Sequence, residues 1–268
     1  GKFHQFFKPK TIETLAGHTQ FNCSAKLQFF DPEHSAKTFD VINSQGLFAL
    51  NDVQYKAAND PIFYHEISGE MVLNDKDAAA RQLKIRTAKS DVLINGAMKN
   101  LIAYLDGTGN LGLIASIESN NIDLNEFLQG TSTESDGPLE VFALPNNLNL
   151  NVDMDIKNLN WVQLDENDRQ VKHNYKNINA KMLMSNRVVK MQQISMNTIG
   201  GQVRGNLKFQ NGVQNGNVID GKLYFSGIDI NKLFKEWDNF DQSSITHEHL
   251  TGIADGEIDL RLIFNPYF

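Results

Sequence analysis

The sequence predicts a mainly β protein: repeated, curved antiparallel sheets forming an elongated groove or a flattened sandwich, with a few short helices. Three observations predict it. Apolar and polar residues alternate with a period of two, the links between these runs are short and turn-forming, and the pattern repeats within the chain.

The alternation is clearest where Leu148, Leu150, Val152, Met154 and Ile156 interleave with Asn149, Asn151, Asp153, Asp155 and Lys157. A strand places one set on a dry face and the other on a wet face, whereas a helix would scatter both around its axis. Phe21, Cys23, Ala25, Leu27 and Phe29 follow the same rule, as do Ile178, Ala180, Met182 and Met184. Further strands are expected at about 46–55, 67–73, 82–88, 91–98, 111–119, 189–198, 201–210, 218–226 and 256–263. Links such as Asn74-Asp75-Lys76-Asp77 are too short for crossovers, so the topology is an antiparallel meander. Cys23 falls mid-strand on the apolar side, where a thiol is normally buried and unreactive. The glycosylation-type triplet Asn22-Cys23-Ser24 lies in the same strand and reads as chance.

Helices are few. Asp123 and Asp229 can each cap a brief amphipathic helix, the first carrying Phe127 and Leu128, the second Leu233, Phe234, Trp237 and Phe240. A third, from Met98 to Leu105, carries Leu101, Ile102 and Leu105 at helical spacing. These read as plugs or end covers for the sheet; apolar residues at such spacing are more often core than a cofactor site.

The internal repeat sets the domain organisation. Residues 121–128 match residues 227–234, with Ile122 against Ile228 (228 − 122 = 106). Ile67 to Leu73 matches Ile178 to Met184 (178 − 67 = 111), and Gly96 matches Gly205 (205 − 96 = 109). Residues 1–130 therefore form a first β repeat unit, 131–145 a linker-like connection rich in Thr, Ser and Gly, and 146–268 a second unit. A third copy starts at about residue 250, because Leu250-Thr251-Gly252 followed by Ile258, Leu260 and Leu262 resembles Leu15-Ala16-Gly17 followed by Cys23, Ala25 and Leu27. Repeats of this kind bury their edges on one another, so one continuous elongated body is expected, as a piece of a longer array.

Bulk properties narrow the function. A net charge of −7 over 268 residues gives no basic surface for phosphate backbones, so nucleic acid is not an expected partner. One cysteine excludes an internal disulfide, and no window approaches the roughly 18 apolar residues of a spanning helix. Gly107-Thr108-Gly109-Asn110-Leu111-Gly112 fits a dinucleotide pattern, but that pattern works after a strand and before a helix; here a helix precedes and a strand follows, so a turn is expected. His247 and His249 lack the further ligands of a metal site, and the acidic turns Asp75/Asp77 and 165–168 lack the Gly and terminal Glu of a calcium loop. No GxSxG elbow, HExxH or P-loop lysine occurs, and no pair of carboxylates is singled out for glycoside hydrolysis. No catalytic residue, cofactor or metal is expected, and the chain reads as a non-enzyme.

With the repeat in view, residues 96–105 followed by a strand and then Ser119-Asn120-Asn121-Ile122-Asp123-Leu124-Asn125-Glu126-Phe127-Leu128 resemble the AsmA-like proteins of Gram-negative bacteria, particularly of Bacteroidetes type. Asn197-Thr198-Ile199-Gly200-Gly201-Gln202-Val203-Arg204-Gly205-Asn206-Leu207 and residues 227–234 are similar to recurrent segments of that family. The resemblance implies a stack of curved sheets forming a groove with an apolar interior, in a periplasmic body anchored in the inner membrane by a helix outside this segment. It implies a role in outer-membrane biogenesis or maintenance, carrying phospholipid, with neighbouring repeats of the same chain and envelope proteins as partners.

Physics and resemblance meet at one requirement: a sheet with an apolar face must cover it with protein or with a ligand. Candidate groove residues are Leu27, Phe29, Met71, Leu73, Ile85, Leu113, Ile117, Leu150, Val152, Met154, Ile156, Met182, Met184, Met196, Leu207 and Phe209. Two alternatives remain open: a closed, dry sandwich, and a structural or adhesive β-array that binds a protein or glycan through its Asn-rich wet positions.

Overall fold

The computed structural model describes residues 12–29, 39–58, 60–105, 107–128, 142–164 and 169–266. Strands account for 70% of the described residues and helices for 11%, so helices can cover only a small part of the strand faces. The strands are β1 (Ile12–Phe29), β2 (Phe39–Ala57), β3 (Tyr64–Asn74), β4 (Asp77–Arg86), β5 (Asp91–Lys99), β6 (Leu111–Ser119), β7 (Ile122–Asp123), β8 (Leu148–Leu164), β9 (Gln170–Ser185), β10 (Val188–Thr198), β11 (Gly201–Asn211), β12 (Asn217–Asp229) and β13 (Ile253–Phe264). Three short helices intervene: α1 (Leu101–Leu105), α2 (Leu124–Leu128) and α3 (Ile230–Glu236).

The chain divides into two compact units, residues 1–117 with 147–150, and residues 118–146 with 151–268. The first holds the ladder order β1-β2-β3-β4-β5-β6, the second β8-β9-β10-β11-β12-β13. The two-residue β7 runs parallel beside β8, pairing Ile122 with Leu159. Most of the linker-like stretch and the acidic turn 165–168 lie outside the described residues. Asp229 caps α3 by accepting the Lys232 amide at 3.1 Å, and Asp123 accepts the Asn125 amide at 3.0 Å at the start of α2.

Left-handed bulges interrupt the long strands. Asp52, Glu66, Gln82, Asn177 and Gln193 all have φ between 48° and 53°, and the ladder register shifts beside each. A bulge leaves one backbone amide without a ladder partner, and an unpaired amide is costly. Here the next strand supplies the acceptor. The Asp52 amide donates to Ser68 Oγ at 3.0 Å, that of Gln82 to Asn95 Oδ1 at 2.7 Å, that of Gln193 to Asn206 Oδ1 at 3.0 Å, and that of Gly227 to Asp255 Oδ1 at 2.8 Å.

The bulges also fix the repeat. Left-handed residues 66, 75 and 82 recur at 177, 186 and 193, and the acceptor Asn95 recurs as Asn206, all at an offset of 111. By the same offset Gly96, which faces Ala80, corresponds to Leu207, which faces Met191. The sequence match of Gly96 to Gly205 is therefore displaced by two residues.

Two local expectations are corrected. Strand β4 begins at Asp77, five residues before the expected 82, because Ala78, Ala79 and Ala80 pair with Leu73, Val72 and Met71 although alanine has weak strand preference. Cys23 is exposed, because among the described residues nothing covers its face of β1, which pairs with β2 alone.

At one end of the second unit, buried asparagines replace apolar packing. Asn217 is fully buried and Asn211 nearly so; Asn211 Nδ2 donates to Asn217 Oδ1 at 2.6 Å and to the Phe142 carbonyl at 2.9 Å, while its Oδ1 accepts the Leu144 amide at 2.9 Å. Asn217 Nδ2 donates to the Asn265 carbonyl at 3.2 Å. Removing one partner leaves buried polar groups unsatisfied, which costs about 1–3 kcal/mol. Asn217→Ala is expected to lower stability by about that amount in urea unfolding, while exposed Asn149→Ala changes it by less than about 0.5 kcal/mol.

Candidate functional site

Residues paired across an antiparallel ladder point to the same side, so the register maps each face. In the first unit one dry row runs Phe21, Phe48, Met71, Ala80 and Gly96; the next runs Cys23, Gly46, Leu73, Ala78 and Met98. In the second unit the rows are Met182, Met191, Leu207, Gly221 and Leu260, then Met184, Val189, Phe209, Ile219 and Leu262, then Met196, Val203, Phe225 and Gly256. Neither row set contains a charged side chain. The opposite face of the second unit is ionic: Lys222 lies 3.4 Å from Glu257 and 3.5 Å from Asp259, and Arg261 lies 3.4 Å from Asp220.

The register brings Met71 and Leu73 into neighbouring rows, Met182 and Leu207 into one row, and Met184 and Phe209 into another. Val152, Ile156 and Met184 are buried, together with Val53, Ala78, Ala80, Ala115, Ala180, Ile194 and Ile228. Met71, Leu73, Ile85, Leu113, Ile117, Leu150, Met154, Met182, Met196, Leu207 and Phe209 are half-buried. Leu27 and Phe29, on the edge strand β1, are 42% and 71% exposed. The candidate list thus contains core residues, a half-exposed apolar surface and an edge.

Large side chains lie over glycines on this face. A Cβ at Gly221 would strike Leu207, one at Gly256 would stand 2.8 Å from Phe225 Cζ, and one at Gly205 2.9 Å from Leu223 Cδ2.

The sequence reading missed a cluster in the second unit. His173 on β9 is 1% exposed and neither ring nitrogen has a hydrogen-bond partner. Its ring stacks on Trp161 of β8 at 5.0 Å and lies 5.4 Å from Trp237, which ends α3. Glu236 Oε2 is 3.7 Å from His173 Nδ1. Burial holds the imidazole below its ordinary pKa and pushes the Glu236 carboxyl and the Tyr175 hydroxyl up. The cluster fastens α3 to β8 and β9 through the only two tryptophans of the chain.

The Gly107–Gly112 loop spends its amides on α1: Gly107 donates to the Tyr104 carbonyl at 3.0 Å, and Thr108 and Gly109 donate to that of Ala103 at 2.9 and 3.0 Å. Those donors are committed, so they cannot cradle a pyrophosphate. His247 Nδ1 is 3.1 Å from Asn239 Oδ1, and His249 Nδ1 accepts the Thr246 amide at 3.2 Å. Among the described residues no group of three His, Cys, Asp or Glu is placed to hold a metal. Clefts in the second unit include one of about 460 Å³ beside α3, lined by Arg169, Lys172, Lys232, Lys235, Glu236 and His247, and one of about 570 Å³ lined by Asn174, Lys176, Asn197, Gly200, Gln202 and Ser226. Both lie off the apolar rows.

No family model, no curated protein and no solved structure matches the chain.

The His173 cluster makes stability pH-dependent. The unfolded chain takes up a proton as pH falls through about 6.5, whereas buried His173 resists protonation, so stability declines from that point down to the lower folded pKa. Glu236 acts with the opposite sign, because its folded pKa is raised from 4.5. In a Glu236→Gln background, the urea midpoint is expected to fall between pH 7.5 and 5.5, and His173→Phe to remove most of that fall. An unchanged slope in the His173→Phe protein excludes this assignment.

Proposed function

We propose that the apolar sheet face binds acyl chains of phospholipid or a related amphiphile, and that the chain is a non-enzymatic, periplasmic segment of an AsmA-like envelope protein anchored elsewhere in its sequence. The observation that carries this reading is the charge-free, half-buried row Met182, Met191, Leu207, Gly221 and Leu260, which crosses successive strands. A contiguous apolar surface of this kind marks an interaction site. Each methylene removed from water on such a surface contributes about 0.8 kcal/mol, so even a partly laid-down chain gains several kcal/mol. Methionine at 182, 191 and 196 adds a polarizable, adaptable lining that does not demand one chain geometry.

A second reading, a β-array that holds a glycan or protein, is favoured by one observation. The 570 Å³ cleft presents Asn174, Asn197, Gln202 and Ser226, a hydrogen-bonding lining suited to hydroxyl groups.

Native mass spectrometry of gently purified protein separates the two. Under the lipid reading the protein carries phospholipid-sized adducts; paired Leu207→Gln and Met191→Gln changes reduce them several-fold, and Lys190→Ala on the wet face leaves them unchanged. Adduct-free protein that binds envelope polysaccharide would favour the second reading and remove the first.

A further inference from the structure

The left-handed glycines show what sits opposite them. A Cβ on Gly17 of β1 (φ 112°) would collide with the Asp52 carbonyl and with Val53 of β2, at the Asp52 bulge. A Cβ on Gly69 of β3 (φ 143°) would stand 2.6 Å from the Gln82 carbonyl of β4, at the Gln82 bulge. In both cases glycine meets a close backbone approach as well as a φ that other residues resist.

Gly252, just before β13, has φ 134° and the same local sequence, Leu-Thr-Gly for Leu-Ala-Gly. Yet the nearest atom to its Cβ position is Ile230 Cδ1, at 4.0 Å. Its carbonyl accepts the Ile230 amide at 3.1 Å, so the inner side of this segment is engaged, and among the described residues no bulge stands on the outer side. The likeness continues along the strand: Ile258, Leu260, Leu262 and Phe264 fall where β1 has Cys23, Ala25, Leu27 and Phe29, at a constant offset of 252 − 17 = 235. Among the described strands β13 pairs only with β12, in unbroken register from Gly256 to Phe264. Over Ile253–Ile263 it has neither an inner charge nor a proline, and its charges, Asp255, Glu257, Asp259 and Arg261, all lie on the wet face.

We infer that the outer edge of β13 is a docking site for an antiparallel strand of the β2 kind: apolar on its dry face, uncharged or basic on its wet face, with a left-handed bulge opposite Gly252. The charges choose this occupant. The wet face of β13 carries Asp255, Glu257, Asp259 and Arg261, and shifting the β1–β2 register by 235 sets Ala49, Leu47, Gln45 and Asn43 opposite them, with no acid among them. The antiparallel self-registers of fullest overlap set Glu257 against Asp259 or Asp259 against itself, with Arg261 opposite an acid in each, whereas the β2 register sets no acid against an acid. The inference is independent of the lipid reading.

The test adds a fluorescent peptide of residues 39–57, with a photo-reactive residue in place of Leu47, to the full chain. Saturable binding with crosslinks at Gly256–Ile258 is expected, since Leu47 faces Asn22 in β1 and residue 257 is its counterpart. A peptide carrying Asp52→Pro, which removes the bulge without touching the protein, is expected to bind about tenfold more weakly, and Gly252→Val protein likewise. Absence of saturable binding overturns the inference, as do crosslinks to Phe21–Cys23 (displacement of the resident β2), indifference to Asp52→Pro, or β13-to-β13 crosslinks without peptide.

Discussion

The ladder register is the constraint on which the rest depends. Because side chains alternate with a period of two, a slip of one residue would carry every apolar side chain to the wet face. Long strands accumulate twist, and the bulges at Asp52, Glu66, Gln82, Asn177 and Gln193 bend them and raise the twist locally while the alternation resumes on the same face. Each places a non-glycine residue in the left-handed region at a cost, which at Asp52, Gln82 and Gln193 a cross-strand Ser or Asn acceptor partly offsets by taking the released amide. The dry rows stay aligned across successive strands because parity is restored beyond each bulge: Leu83 and Ile85 return to the face of Ala80 and pair with Ile94 and Val92.

The strands were legible because burial of one face writes a two-residue period into the sequence, as in Leu148 to Ile156. The start of β4 was not, since Asp77-Ala78-Ala79-Ala80 carries no alternation and only pairing with Met71 to Leu73 makes it a strand. Alternation also says which side Cys23 points to, but not whether anything lies over that side, and among the described residues nothing covers the thiol. The bulges left a faint signal in the pairs Ser68-Gly69, Asn95-Gly96 and Asp255-Gly256, where an acceptor precedes a glycine. The acceptor role becomes visible only once the partner strand is known.

The His173 site was illegible for a different reason. Trp161, His173 and Trp237 come from β8, β9 and the end of α3, and no local pattern links residues separated by such distances. Val171, His173 and Tyr175 do share the spacing of one strand face, so histidine on an apolar face was the available clue. It indicates a satisfied core histidine more often than an orphaned one, and here both ring nitrogens are orphaned.

The dry face differs in kind from an interdigitated core. In a sandwich, knobs of one sheet enter holes of the other, and side chains stand up from both. Here Leu207 lies against Gly221 and Phe225 over Gly256, so large side chains recline into the space that missing Cβ atoms leave. Reclining flattens the surface and spreads apolar carbon along the strands. Small residues continue the same low relief in the first unit, where Ala80, Gly96 and Ala115 adjoin. A flat, charge-free strip offers little shape specificity but broad contact, which suits a flexible methylene chain better than a rigid ligand. The physical basis of the lipid proposal therefore includes the pairing of Leu207, Leu223 and Phe225 with glycines on neighbouring strands, beyond the apolar count alone.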